Sequence, residues 1–558
     1  MSVATQRVAT GGRIAGAAAM ISALTMASRL VGFARIFVFG RAVGSTNLGD
    51  MYQAANTVPN IIFEIVAGGA MAALVVPLLA GPIARAERQE VGHIASALLS
   101  WVLVLLVPLA GVLAAAAYPI MFLLQHDASP QALQTGAAML RIFAPQLPLY
   151  GVSIVLTGVL QAHHRFAWPI LAPLLSSLTV IGTYLTFLGT EPGSPDIAQV
   201  GIGGQLVLSI GTTLGVVVLS LCLVIPVRRL GLPWRARLDI PSGIRAQVRS
   251  LAGVGVLTVV AQQLALVAAI VVVQWNTVSG SLVLFTQAQT VYLLPWAVLA
   301  VPVATSAYPV LAHANATRDG GLYQRTLASS SRSVLLLSAL GTAGLVAVAG
   351  PVARLLAEVN QGVTSVSTLT EAIIGFAPGL LGYGLFALHS RALYARGRNR
   401  SVAVATLIGW GGVTLASVAL AAALPDRYRV LAVTCGNSVG MLLLGAVLLR
   451  LVSRLAGRPA LAGLSRAGLT ALLAGVVAAL LGLAARLPLP HAPGLAGAVG
   501  EGLLSGVVAL AAFAGTALVV GPRDTRPMLD RLARSLHAGR GRGPRRQAGR
   551  GGERTAGR

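Results

Sequence analysis

Lysine is absent from this 558-residue chain, and only 10% of its residues are charged. Acidic residues are scarce, 16 against 41 basic ones, which leaves a formal net charge of +25. So little charge excludes a water-soluble enzyme and a disordered polymer, because soluble domains carry about a quarter charged residues. Cysteine occurs twice, as Cys222 and Cys435, each inside an apolar run. Two distant cysteines make neither a disulfide framework nor a metal site and read as small core residues. The sequence has no nucleotide-binding loop and no cluster with metal-ligand spacing, so no cofactor and no ATP-driven pumping by this chain alone are expected. The neighbouring His163 and His164 read as an interfacial feature at a helix end rather than as ligands.

What is present is apolar length. Hydrophobic residues make up 56% of the chain and the mean hydropathy is +0.80. A bilayer core needs about 20 apolar residues per helix, and that ruler gives fourteen candidate spans, the first at 15–40 and the last at 496–520. Long continuous runs read as helices rather than barrel strands, since lipid-exposed backbone must satisfy its own hydrogen bonds. The first run is too long, and too interrupted by arginine, for a cleavable signal peptide. With the N-terminus inside, 33 arginines fall on the cytoplasmic side, five outside, and three (Arg29, Arg35 and Arg141) within spans. That asymmetry is the positive-inside pattern. Adding or removing one span would invert half the loops and destroy it.

The expected organisation is an N-terminal lobe (1–227, six spans), a basic amphipathic linker on the cytoplasmic leaflet (228–249), a second six-span lobe (250–450), two further spans (451–521) and a basic, disordered tail (522–558). Both basic segments are expected to attract anionic lipid. The tail lacks the interleaved aromatics of a nucleic-acid binder. A repeat is visible within the spans. Leu160-Gln161-Ala162 closes span four and Leu393-Tyr394-Ala395 closes span ten, at a sequence offset of 233. Val76-Pro77-Leu78-Leu79-Ala80 and Tyr308-Pro309-Val310-Leu311-Ala312 repeat at an offset of 232.

Charges inside spans cost roughly 2.5–3.5 kcal/mol each at the bilayer centre. They persist where they face water or a partner. Arg29 and Arg35 are six residues apart, off a single helical face, and a bend at Gly32 would turn them toward one cavity. Arginine suits a diphosphate because its planar fork donates in pairs. The alternative is that these arginines pair with Asp50 and Glu64 to hold helices together. Arg141 lies beside Pro145, and Arg391 near an inner helix end, where it can snorkel. Pro59, Gly68, Pro295 and Pro378 read either as hinges or as plain packing and curvature.

The stretch Ser28-Arg29-Leu30-Val31-Gly32-Phe33-Ala34-Arg35, followed by Asp50 and Val58-Pro59-Asn60, resembles the N-terminal signature of the MurJ/MviN family. These are lipid II flippases of the multidrug/oligosaccharidyl-lipid/polysaccharide exporter superfamily. Leu140-Arg141-Ile142-Phe143-Ala144-Pro145, Gly158-Val159-Leu160-Gln161-Ala162 and Arg391-Ala392-Leu393-Tyr394-Ala395 add weaker matches. The resemblance implies an all-α, fourteen-helix membrane protein of two V-shaped lobes around a cationic cavity, with spans 13 and 14 forming a groove for a lipid tail. It implies transport of the undecaprenyl-diphosphate peptidoglycan precursor from the inner to the outer leaflet of a bacterial cytoplasmic membrane, with both termini cytoplasmic. Cell-wall synthesis proteins, which make and use the precursor, are the partners it suggests. Carried over, Arg29 and Arg35 bind the diphosphate, and Asp50 serves a gate or a charge network with them.

The chain also departs from the family pattern. Phe63, Gly68 and Thr290 stand where a basic, an acidic and a basic residue are expected. Arg141 and Glu64 are the candidates to make up the missing charge. The competing readings are a flippase for another polyprenyl-linked glycan such as a capsule or teichoic-acid precursor, a drug/cation antiporter, and a non-transporting scaffold. An antiporter for cations calls for acidic cavity residues, whereas arginine dominates here.

Overall fold

The computed structural model describes residues 24–28, 30–66, 72–191, 197–239, 242–275, 279–360, 365–487, 494–523 and 525. Arg29, Gly68 and the tail beyond residue 525 lie outside the described residues. The regular elements of the described residues are all helices, with no strand among them.

The first lobe contains α1 (30–42), α2 (Asn47–Val66), α3 (Ala72–Ala84), α4 (Arg88–Ala115), α5 (Ala117–Leu124), α6 (Pro130–Phe143), α7 (Gln146–Ala162), α8 (Ala167–Thr190), α9 (Ile202–Leu221) and α10 (Val224–Arg228). The second contains α11 (Ser242–Val273), α12 (Ser281–Pro295), α13 (Val301–Ala316), α14 (Gly320–Val359), α15 (Val366–Phe376), α16 (Gly379–Ala395), α17 (Asn399–Ala423) and α18 (Arg429–Ala456). Two more helices, α19 (Leu464–Ala484) and α20 (Gly494–Val520), pack on α14. Eleven of the described helical segments are long and apolar enough to cross a membrane, twelve if α15 and α16 count as one bent span. Fourteen is compatible with this, since the first two expected spans lie partly outside the described residues. The α2 segment is not among the eleven. It carries Asn47, Asp50, Gln53, Asn56, Asn60 and Glu64, a composition suited to a hydrated face rather than to lipid.

The internal repeat is structural. Helices α7 and α16 begin and end at the same sequence offset of 233, and α6 and α15 end at Phe143 and Phe376, which share it. Pro145 and Pro378 break the two spans at the same place, because proline supplies no N–H to the helix ladder. Each break is bridged by a hydroxyl from a neighbouring helix. Thr213 donates to the Ile142 carbonyl over 3.0 Å, and Ser438 donates to the Gly375 carbonyl over 2.6 Å. The bend between α15 and α16 is 40°. Left-handed residues also repeat, with Ala86 and Arg318 following α3 and α13, and His164 and Gly397 following α7 and α16.

With little polar surface, the helices associate through small residues that allow close approach. Gly436 and Gly440 of α18 lie against Ser417 and Val413 of α17, and Gly382 of α16 lies against the Met441 backbone. Ala339, Ala343 and Ala347 of α14 meet Ala471, Ala474 and Ala478 of α19, with Ala509, Phe513 and Ala517 of α20 on the same cluster. A bidentate ion pair between Arg354 of α14 and Glu501 of α20 fastens the last helix; Glu501 is only 5% exposed.

The basic linker departs from the expected amphipathic segment running to residue 249. Residues 232–239 are irregular and run along the N-terminal half of α4, and α11 already begins at Ser242. The backbone N–H groups of Arg235 and Arg237 donate to the Ser96 and Ser100 hydroxyls over 3.2 and 3.1 Å. The Trp101 indole donates to the Leu238 carbonyl over 2.8 Å. A chain that places the N–H groups of Arg235 and Arg237 on serines four apart in a helix is strapped to it.

Candidate functional site

Arg35 of α1 is half-buried and points at tyrosines rather than carboxylates. Its guanidinium lies 3.5 Å from the Tyr184 hydroxyl and 5.9 Å from that ring's centre. Tyr184 shares a 2.9 Å hydrogen bond with Tyr52, and Tyr52 a 2.8 Å bond with Thr212. The hydroxyl relay gathers α2, α8 and α9 around the arginine. No carboxylate pairs with Arg35 among the described residues. Its charge is held in position by the tyrosine hydroxyl and has no acidic partner among the described residues. Gly32, one turn earlier, faces open space.

Asp50 does not join Arg35 in a charge network. It is 3% exposed and reaches across to the second lobe. The Gly280 and Val283 backbone N–H groups donate to its carboxylate over 2.7 and 3.1 Å, and the Gln274 amide over 3.4 Å. It therefore caps the start of α12, where orphan N–H groups and the helix dipole favour a negative charge. Gly280 ahead of the helix takes a left-handed φ of 89°. A cavity of about 220 Å³ lies beside this contact, lined by Asn47, Asp50, Gln125, Gln274 and Ser279 among others. A second contact sits nearby. Asn360, past α14, exchanges two amide hydrogen bonds with Gln287 of α12 at 3.1 and 3.2 Å and lies 3.4 Å from the Ser45 hydroxyl. Gly40 makes room for it, because a Cβ there would fall on the Asn360 side chain. Both contacts join the lobes at the end where α2 and α12 begin.

Glu64 is exposed at the far end of α2 and makes no hydrogen bond or ion pair with any described residue. Tyr150 donates its hydroxyl to the Asn60 side-chain carbonyl of α2 over 2.9 Å, and its ring lies 4.5 Å from that of Phe63.

Arg141 is not brought to this region. At about 100° per residue it lies roughly 140° round α6 from Gly136, which packs against Met51 of α2. It is exposed in a row with Gln134, Ala138 and Pro145. Thr290 bonds within its own helix at 2.9 Å and replaces no charge. Pro59 is buried inside an unbroken α2. Pro295 ends α12 and is followed by a π-helical turn, Trp296–Ala300, a feature common at functional sites. Arg391 donates to the Ala387 carbonyl at 2.6 Å on its own helix. Sequence reasoning passed over Asn360, Gln287 and the tyrosines Tyr150 and Tyr383. The last two stand at the offset of the repeat, so the repeat itself was their signal.

A cap from α2 on α12 joins the two halves of the repeat at one end, and Arg35 sits within the first half, hydrogen-bonded to Tyr184. The family model described as "Lipid II flippase MurJ" matches residues 39–490. The chain belongs to the lipid II flippase MurJ family. A protein of Burkholderia cenocepacia described as lipid II flippase MurJ is 24% identical over 401 residues, covering 67% of this chain and 72% of its own. A probable lipid II flippase MurJ of Rhizobium meliloti is 25% identical over 388 residues, 66% of this chain and 67% of its own. Among solved structures, a MurJ in an inward closed conformation aligns with a TM-score of 0.69 at 19% identity, covering 88% of this chain and 97% of that one. An inward-facing multidrug resistance MATE transporter of the MOP superfamily aligns at 0.63 and 15% identity, covering 78% and 94%. These structural likenesses speak for the fold. The MurJ family match speaks for the lineage of this chain within that fold.

Proposed function

We propose that this chain carries lipid II, the undecaprenyl-diphosphate-linked peptidoglycan precursor, from the inner to the outer leaflet of the bacterial cytoplasmic membrane. It acts as a transporter and not as an enzyme, with both termini in the cytoplasm. The reading rests on family membership and on one observation above others: an arginine at membrane depth, Arg35, oriented by a tyrosine relay and left without an acidic partner. Such a group has charge to offer a diphosphate. In the state described, Asp50 and Asn360 close the outer end. Headgroup entry from the cytoplasmic side, neutralisation of Arg35 and release of the Asp50 cap then follow in order, the lobes 1–227 and 250–450 rocking about the bound diphosphate. A negative interior assists expulsion of an anionic headgroup by about 2.3 kcal/mol per charge per 100 mV. The arginines of the linker hold that face on anionic lipid, and Arg29 adds a second ligand for the diphosphate.

The second reading, a carrier for another polyprenyl-diphosphate glycan, is favoured by Phe63 and Thr290, which remove two charges the resemblance predicts. Depleting the protein from growing cells separates the two. Accumulation of lipid II on the inner leaflet supports the first reading, and accumulation of a different lipid-linked glycan supports the second. Full growth of depleted cells on Arg35→Ala would favour a scaffold.

A further inference from the structure

Two helices of the C-terminal part carry marks of the membrane edge. Between Arg332 and Arg354 of α14 stand 21 residues without a charge, and between Arg466 and Arg486, along α19, stand 19. At 1.5 Å per residue these runs are roughly 31 and 28 Å long, close to the hydrocarbon thickness of a bilayer, about 30 Å. The helices run side by side in one direction, with Gly463 against Arg332, Gly468 against Leu335 and Gly482 against Ala347. Arg332 and Arg466 therefore meet at one edge of the apolar layer, at the end of the molecule opposite the Asp50 cap. Arg486, against Gly350, meets the other edge with Arg354.

Helix α14 overhangs the first edge. It begins at Gly320, twelve residues before Arg332. A cavity of about 630 Å³ opens along this overhang, between a face of α14 bearing Gln324, Arg325, Ser329 and Arg332 and the segment of Pro459 and Ala462 ahead of α19. Its walls are tied together: Gln324 donates to the Ala456 carbonyl over 2.8 Å and Arg332 to the Ala462 carbonyl over 2.7 Å. Ser329 stands on that face between the two arginines. No acidic side chain lines the cavity. Residues 316–332, 395–400 and 450–466, all at this end, hold ten arginines and a single acidic residue, Asp319. That carboxylate is engaged, since the Leu322 N–H donates to it over 2.8 Å at the start of α14.

Guanidinium groups in a cavity without a carboxylate suit a phosphate, whose oxygens accept their paired N–H groups. Depth selects its bearer. Phospholipid phosphates lie just outside the hydrocarbon, and basic pockets between membrane helices hold such headgroups. We propose that this cavity binds the phosphate headgroup of an anionic phospholipid, between α14 and the segment leading into α19. The lipid is a resident one, distinct from any carried lipid, and it clips α19 and α20 to the second lobe. The site does not depend on the cargo proposed above.

Phenylglyoxal modification of arginines, read by peptide mass spectrometry on the full-length protein in nanodiscs, tests this. Nanodiscs of phosphatidylcholine alone are compared with nanodiscs that also contain phosphatidylglycerol. Arg325 and Arg332 should be modified about fivefold more slowly with phosphatidylglycerol, the factor for one headgroup contact. Arg400, exposed at the same end and outside the cavity, should be slowed much less. Ser329→Glu sets a carboxylate between the two arginines and should abolish the dependence on phosphatidylglycerol at both; the labelling of the native protein needs no variant and stands by itself. Equal slowing at Arg400 would reduce the effect to general surface attraction and overturn the site, as would a phosphatidylglycerol dependence that survives Ser329→Glu. Equal protection by inorganic phosphate in phosphatidylcholine nanodiscs would make the ligand a free anion and overturn the lipid assignment.

Discussion

The carboxylate of Asp50 and the backbone N–H of Gly280 lie 2.7 Å apart, joining two lobes whose residues are 230 positions apart in sequence. A helix start in one lobe is capped by a side chain from the other, so separating the lobes uncaps the helix. Losing a cap costs about 0.5–2 kcal/mol, and one to two kcal/mol is a factor of 5–30 in an equilibrium. Asp50→Ala should therefore shift the protein toward outer-open states by that factor, read from spin-label distances between Asn47→Cys and Ser279→Cys. Unchanged distances would remove Asp50 from the gate.

The Ser45 hydroxyl and the Asn360 amide are 3.4 Å apart where the lobes meet, the end the proposed function takes as outer. In a background with Cys222 and Cys435 replaced, Ser45→Cys with Asn360→Cys should cross-link under oxidation and stop transport, and reductant should restore it. Transport that continues in the cross-linked protein would show that the outer end does not open there.

Gly40 is needed for its size, because a Cβ would occupy the place of the Asn360 side chain. Gly40→Ala should loosen the outer closure and slow the Ser45–Asn360 cross-link severalfold, while the fold stays intact by thermal melting.

Arg354 and Glu501 tie α14 to α20. Removing one partner of a buried pair costs roughly 3–5 kcal/mol, whereas replacing both with apolar residues is often close to neutral. Glu501→Ala should lower the melting temperature of the detergent-solubilised protein by more than the paired change Arg354→Leu with Glu501→Leu. The reverse order would contradict a buried, coupled pair.

The linker strap depends on two serines. Ser96→Ala with Ser100→Ala removes the acceptors for the Arg235 and Arg237 amides, worth about 0.5–1.5 kcal/mol each. Trypsin should then cut after Arg235 and Arg237 several times faster, with α4 itself protected.

These contacts show how far the sequence was legible. The helical membrane-spanning class follows from apolar length, a property spread over hundreds of residues. The repeat was visible at Ala162 and Ala395 because both close broken helices of equal length. The role of Asp50 was only half legible. An acidic residue in a span suggests an arginine partner, whereas its partners are backbone amides of α12, which no side-chain pattern announces. Arg141 misled for a related reason: sequence gives its depth, but only packing tells which face of α6 it occupies. The linker reads as amphipathic because Leu230, Leu232, Trp234 and Leu238 stand among arginines, whereas its backbone bonds to Ser96 and Ser100 of α4 leave no mark in that pattern.

The most direct test is to count lipid II headgroups reaching the outer leaflet of sealed proteoliposomes, using a membrane-impermeant reagent that modifies only exposed headgroups. The native protein should expose them well above protein-free liposomes, and Arg35→Ala should cut the rate at least tenfold. Equal rates for the native protein, Arg35→Ala and empty liposomes would contradict the proposed carrier.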